Sequence, residues 1–117
     1  MAEPTSYQLI IEVRRPVRIP VGRLGTFLFP SGRYVYTGSA KRNIEARIAR
    51  HLRKKKALRW HIDYLLVRPS VNVEEVKRST QGECLLNQKT RGKVLVQGFG
   101  ASDCRNGCGS HLRYLGG

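Results

Sequence analysis

"YVYTGSAKRNIEARIARH", residues 34–51, changes its periodicity partway along, and the fold turns on that change. The opening residues are aromatic and β-branched, which suits a strand with Tyr34 and Tyr36 on one face and Val35 on the other. Thr37-Gly38-Ser39 then reads as a tight turn. Beyond it Asn43 is placed to cap a helix in which Ile44, Ile48 and Leu52 recur at four-residue spacing, the stripe an amphipathic helix buries, and the pattern extends to about Lys55. Arg47 and His51 are one helical turn apart, and each directly precedes a stripe residue, so both sit on the shoulder of the core. The strand therefore presents a phenol, the glycine turn lets backbone approach an anion closely, and the helix returns an arginine and a histidine to the same place.

Upstream, Tyr7 to Val13 ("YQLIIEV") reads as a first strand, closed off by Pro16 and Pro20. "GTFLFPSGRYVYTG" reads as two extended runs joined at a Pro-Ser-Gly turn, a hairpin. Downstream, Trp60 and Tyr64 are four apart in "LRWHIDYLL", which favours a second, shorter helix. Val71 to Val76 reads as a third strand and Gly82 to Lys89 as a third helix. The chain closes with a glycine- and cysteine-containing tail whose last residues, Leu115-Gly116-Gly117, read as a frayed end.

A chain of 117 residues fits one core and one site. Lysine and arginine number 22 against 8 acids, a formal charge of +14, which predicts a polyanionic partner, nucleic acid first. The charge concentrates in residues 41–59, where Lys41, Arg42, Arg47, Arg50, Arg53, Lys54, Lys55, Lys56 and Arg59 face one acid, Glu45. Such a run is either a phosphate-binding surface or a solvated helix face. A membrane-surface role would need a long amphipathic stretch or a lipidation signal, and neither is evident. The sequence shows no signal-peptide core and no membrane-spanning apolar run, so a cytoplasmic protein is expected. Cys84, Cys104 and Cys108 are an odd number without secretory context, which favours reduced thiols over disulfides. Cys104, Cys108 and His111 are spaced C-x3-C-x2-H, a conceivable structural zinc set with Cys84 or His61 as a fourth ligand, although loop-packing thiols are the simpler reading.

The order of these motifs resembles the GIY-YIG nuclease superfamily, in particular its small stand-alone branch, a domain that also occurs fused to a DNA glycosylase. Ser6-Tyr7-Gln8 stands in the place of the GIY element and Tyr36-Thr37-Gly38 in that of YIG. Arg47 follows in the place of the catalytic arginine, His51 one turn later, and Glu83 at the place of the metal-binding glutamate, while "WHIDYLL" and "GFGASDC…SHL" are similar to signatures of the branch. Ser6 and Thr37 depart from the motif, and an inserted hairpin separates the two tyrosines. The resemblance implies an α+β domain, a small central three-stranded antiparallel sheet flanked by helices, that hydrolyses nucleic acid phosphodiesters with one magnesium or manganese ion. DNA is favoured over RNA, with a repair protein as a possible partner.

The residue types suit that chemistry. Arg47's planar, permanently charged fork matches phosphate oxygens in a transition state of increased negative charge. Glu83 alone, with waters and a substrate phosphate, could hold magnesium, although an acid opening a helix is also favoured by the dipole. The resemblance places Tyr7 and Tyr36 in the site. Tyr36 is the favoured base or water-orienting group, its phenol expected to be lowered by nearby cations. His51 could share the proton traffic, bind a phosphate oxygen, or serve as a hydrogen-bonded histidine at the core edge. His61 and Asp63 are splayed apart on a helix and read as supporting residues. A non-catalytic nucleic-acid binder is the alternative function, and a zinc-stabilised adaptor for a repair protein a third.

Overall fold

A computed structural model describes residues 4–40, 42–100 and 109–117. The elements run β1 (Ser6–Val13), β2 (Val17–Pro20), β3 (Thr26–Phe29), β4 (Gly32–Ser39), α1 (Ile44–Leu52), α2 (His61–Leu66), β5 (Val71–Ser79), α3 (Glu83–Lys89) and β6 (Leu112–Gly116), with one 3₁₀ turn at Gly22–Leu24. The fold is α+β. Period-two alternation puts Tyr7, Leu9, Ile11 and Val13 on one face of β1, all buried. β4 pairs antiparallel with β1 over its whole length, from Ser6 opposite Ser39 to Val13 opposite Gly32, which sets Tyr36 and Tyr34 beside Leu9 and Ile11. Ile48 of α1 and Ile62, Leu65 and Leu66 of α2 complete the core with these residues.

The sheet has four strands in the order β5-β1-β4-β6, one more than expected. The addition is the supposed tail: Leu112 pairs with Tyr36 and Tyr114 with Tyr34, the Tyr34 and Tyr114 rings lying 4.9 Å apart. The last residues are thus held in a strand, and their glycine has a use. Gly116 carbonyl approaches Gly32 so closely that a Cβ on Gly32, already at φ 137, would collide with it.

The expected hairpin is also rearranged. Both runs of "GTFLFPSGRYVYTG" are strands, but β3 pairs with β2 in a separate two-stranded ribbon and β4 turns away to pair with β1. Phe29 is buried at the corner against Tyr34 and Phe99, and Tyr34 Oη donates to Pro30 O at 2.7 Å, so the Pro-Ser-Gly segment leads between two layers. Pro20, the last residue of β2, stands on a two-stranded ribbon where its missing N–H is tolerated.

Asn43 caps α1 as expected, its Oδ1 accepting from Ala46 N at 3.2 Å, from a left-handed backbone that asparagine tolerates. The buried residues of α1 are Ile48 and His51, and Leu52 is 51% exposed, so the helix turns His51 inward in place of the apolar residue after it. The helix also ends at Leu52, short of Lys55, where Arg53 becomes extended. On the sheet, Gln8 leaves β1 on the face opposite Tyr7, and its Nε2 donates to Thr37 Oγ1 of β4 and to Thr90 Oγ1 at the end of α3. That link fixes the last turn of α3 to the two central strands.

Candidate active site

Strand register builds the first part of the site. Tyr7 is the cross-strand partner of Gly38 and its ring lies directly over that glycine, where a Cβ would stand 2.5 Å from Tyr7 Oη. Only glycine fits there, and the ring so placed brings Oη to 2.6 Å from His51 Nε2. His51 is 2% exposed, with its ring 5.9 Å from that of Tyr36 and 5.8 Å from that of Trp60. Burial, helped by the Lys56 charge, lowers His51 to about 4. At neutral pH the imidazole is therefore uncharged, and in its Nδ1–H tautomer Nε2 accepts from the Tyr7 hydroxyl.

Both phenols are pushed well above their ordinary range, chiefly by burial. For Tyr7 the Arg47 guanidinium pulls the other way while Glu83 and Asp63 add to the rise; for Tyr36 the neighbouring Tyr7, Glu83 and Asp63 add and Arg47 again opposes. The expected lowering by cations does not occur, because one partly solvated guanidinium cannot outweigh the loss of water around two buried rings. The phenol with a proton acceptor at hand is Tyr7, and no such acceptor is paired with Tyr36 among the described residues.

Arg47 reaches the same place from α1. Its Nη1 donates to Ser39 O at 2.7 Å, just past the glycine turn, and its guanidinium lies 4.8 Å from the Trp60 ring centre. Trp60 also carries the guanidinium of Arg50 at 4.4 Å and that of Arg59 at 5.7 Å. Trp60 opens the "WHIDYLL" stretch, but its role under these guanidinium groups was not read from the sequence, where an aromatic directly after Arg59 and close to an arginine-bearing helix is the signal.

The basic segment divides by partner. Arg50 grips Asp63 with two 2.9 Å hydrogen bonds and donates to Ala57 O, which locks α1 to α2. Lys54 Nζ donates to Leu66 O at 2.9 Å, Arg68 O at 2.8 Å and also to Val71 O, and Lys56 Nζ to Arg50 O at 3.0 Å and His51 O at 2.8 Å, closing the carbonyl end of α1. Burial lowers Lys56 to about 8. Arg50, Lys54 and Lys56, expected to bind phosphate, thus have their charged heads hydrogen-bonded within the protein. Arg42, Arg53, Lys55 and Arg59 are exposed, and Lys41 lies outside the described residues.

Asp63 is buried and fully engaged. Besides Arg50 it accepts from Arg59 N at 2.8 Å and Trp60 N at 2.9 Å. Burial pushes its carboxyl up, but Arg50 and the two amides together outweigh this and hold it below the usual range. His61 Nδ1 accepts from Gly100 N at 2.9 Å. Gly100, at φ 66, packs beneath Tyr36, where a Cβ would come within 3.0 Å of the ring, so His61 supports Tyr36 through this glycine.

Glu83 opens α3 with its side chain 29% exposed, and Oε1 lies 3.3 Å from Nδ1 of the buried His111. Its charge is felt by both site phenols. With Asp63 engaged, Glu83 is, among the described residues whose charge reaches the phenols, the carboxylate that could hold a cation, and a single partly exposed carboxylate suits a hard divalent ion that keeps several waters. A structural zinc set does not assemble among the described residues, which contain no cluster of three or more histidine, cysteine or acidic side chains able to hold a metal. Cys104 and Cys108 lie outside those residues, Cys84 is on α3, and His111 sits beside Glu83. No helix among the described residues is long and apolar enough to cross a membrane.

A sheet-and-helix domain with one converging site of two phenols, an imidazole, a guanidinium and a carboxylate is the class these observations define. The chain belongs to the family described as Domain of unknown function DUF123, whose model matches residues 6–116. No curated protein and no solved structure matches it.

Proposed function

We propose that the protein is a metal-dependent endonuclease that hydrolyses nucleic acid phosphodiesters, DNA more readily than RNA, in a repair or recombination setting, and that it works as a GIY-YIG-type domain. The observation that carries this reading is the convergence of Tyr7, Tyr36, Arg47 and His51, from two strands and a helix, within reach of the Glu83 charge. Glu83 would hold a magnesium or manganese ion, which would supply positive charge to the substrate phosphate. Arg47, braced by Ser39 O and the Trp60 face, offers its remaining N–H groups to the phosphate oxygens.

The buried phenols cannot act as phenolates at neutral pH. Tyr7 instead takes a proton from the attacking water as its own proton passes to His51 Nε2, 2.6 Å away. Tyr36, without such an acceptor among the described residues, orients the water. Exposed Arg42, Arg53, Lys55 and Arg59 lie on the same segment of chain as Arg47 and track the backbone of the substrate.

A panel of labelled single-stranded, duplex, flap and junction substrates, with magnesium or manganese, tests the activity. Arg47→Lys keeps the charge and loses the fork, so cleavage is expected to fall on the order of a hundredfold at equal binding. Equal cleavage would remove the guanidinium from the transition state. The exposed cations also favour a second reading, a binder on a nuclease scaffold, which takes over if the wild type binds the panel and cuts none of it.

A further inference from the structure

We propose that His111 is a positioning residue that fixes the Glu83 carboxylate for its divalent cation, an inference that rests on Glu83 being the metal ligand. Glu83 is poorly held by its own element. It is the first residue of a seven-residue helix whose N-cap, Gly82, offers no side chain, and its long side chain has several torsions to lose on ordering. Among the described residues the imidazole of His111 is the one basic side chain within 4 Å of its carboxylate.

His111, by contrast, is buried, and its backbone is held on both sides. It is 1% exposed, its N donates to Phe99 O at 2.8 Å, its O accepts from Thr37 N at 3.0 Å, and the next residue begins β6. Thr37 directly follows Tyr36. The backbone that carries the imidazole is therefore hydrogen-bonded to the strand that presents the phenol, which ties the position of the carboxylate to β4. Nδ1 stands 3.3 Å from Oε1, close enough for the imidazole to confine the partly exposed carboxylate while a cation approaches from the solvent side. A ligand oriented by a buried imidazole is the arrangement in which loss of the partner weakens metal affinity by about 10- to 100-fold.

Manganese titration of the full chain, followed by paramagnetic broadening of backbone amide signals, reads affinity without requiring turnover. Glu83→Gln is the control that defines site-specific broadening. His111→Leu is expected to raise the apparent Kd for manganese about 10- to 100-fold, and His111→Asn, which keeps an N–H near the Nδ1 position, to recover most of it. The manganese concentration for half-maximal cleavage should move with it, while affinity for an oligonucleotide in calcium stays unchanged. Should the leucine variant fail to fold, His111→Gln, whose amide lies nearer the Nε2 position, takes its place and is expected to lose about tenfold. Glu83-dependent broadening that is the same in wild type and in the variant without the donor overturns the positioning role alone. Broadening that does not depend on Glu83 overturns the metal-site reading, and this inference with it.

Discussion

Helices α2 and α3 each bring a carboxylate toward the same phenols, and the two carboxylates have opposite fates. Asp63 is fully buried and accepts four hydrogen bonds, one on Oδ1 from Arg50 and three on Oδ2 from Arg50 and two backbone amides, so Oδ2 is saturated and the charge is cancelled where it stands. Glu83 is partly exposed and meets one imidazole. A saturated acid is an internal fastener, and an acid with open lone pairs can bind something from outside. The difference lies in how many donors surround each oxygen.

Exchanging the two roles by mutation gives the largest expected effects. Glu83→Gln removes one negative charge from a partly exposed position, so folding stability should stay within about 0.5 kcal/mol while metal-dependent cleavage falls on the order of a thousandfold, the equivalent of several kcal/mol of lost charge stabilisation. Oligonucleotide binding in calcium should hold or tighten. Asp63→Ala should do the reverse first: it strands Arg50 and opens the start of α2, for a loss of about 3 kcal/mol in urea denaturation. If Asp63→Ala folded as well as wild type and lost only cleavage, the assignment of the two carboxylates would have to be exchanged.

The acid side of the pH profile sharpens the same contrast between buried and open groups. His51 titrates near 4 in the folded chain against about 6.5 when unfolded, so the unfolded chain binds more protons between those values. Its contribution is fully present above pH 6.5 and is lost as pH falls through about 4, amounting to about 3 kcal/mol. His51→Asn should flatten the dependence of the denaturation midpoint over that window. A wild-type midpoint independent of pH there would place the imidazole in water.

What the sequence made legible was whatever depends on spacing along the chain. The alternation of Tyr7 to Val13, the cap at Asn43 and the position of Glu83 at the start of a helix are local facts, and the structure agrees with them. Pairings between distant segments were not legible. The β3 run could close a hairpin with either neighbour, and the choice of β2 rests on where Phe29 is buried; β6 has a strand's alternation in Leu112 and Tyr114, hidden behind glycines that mark close approach to Gly32. The candidate site was visible as an order of residue types, but the partner of each was not. His51 replaced Leu52 inside, and Tyr7, where Tyr36 was favoured, received the proton acceptor, because register and a missing Cβ at Gly38 set that distance.

The three adjacent lysines supply the smallest effect and the finest division. Sequence makes Lys54, Lys55 and Lys56 equivalent, yet Lys54 and Lys56 donate to carbonyls while Lys55 makes no such bond among the described residues. The chain bends at Lys54 and Lys55 just past the end of α1, and the ammonium groups on either side of Lys55 reach different carbonyls, those of the α2–β5 segment for Lys54 and those of α1 for Lys56. Counterion release counts only charges that meet phosphate, so Lys55→Ala should reduce the slope of log affinity against log salt by about 0.9 on duplex DNA, with stability unchanged. Lys54→Ala should leave that slope alone and cost about 1–2 kcal/mol in unfolding, since three carbonyls lose their donor. A slope that responds equally to both substitutions would mean that Lys54 leaves its carbonyls when nucleic acid binds, and the division between fastening and exposed cations would then hold only for the free protein.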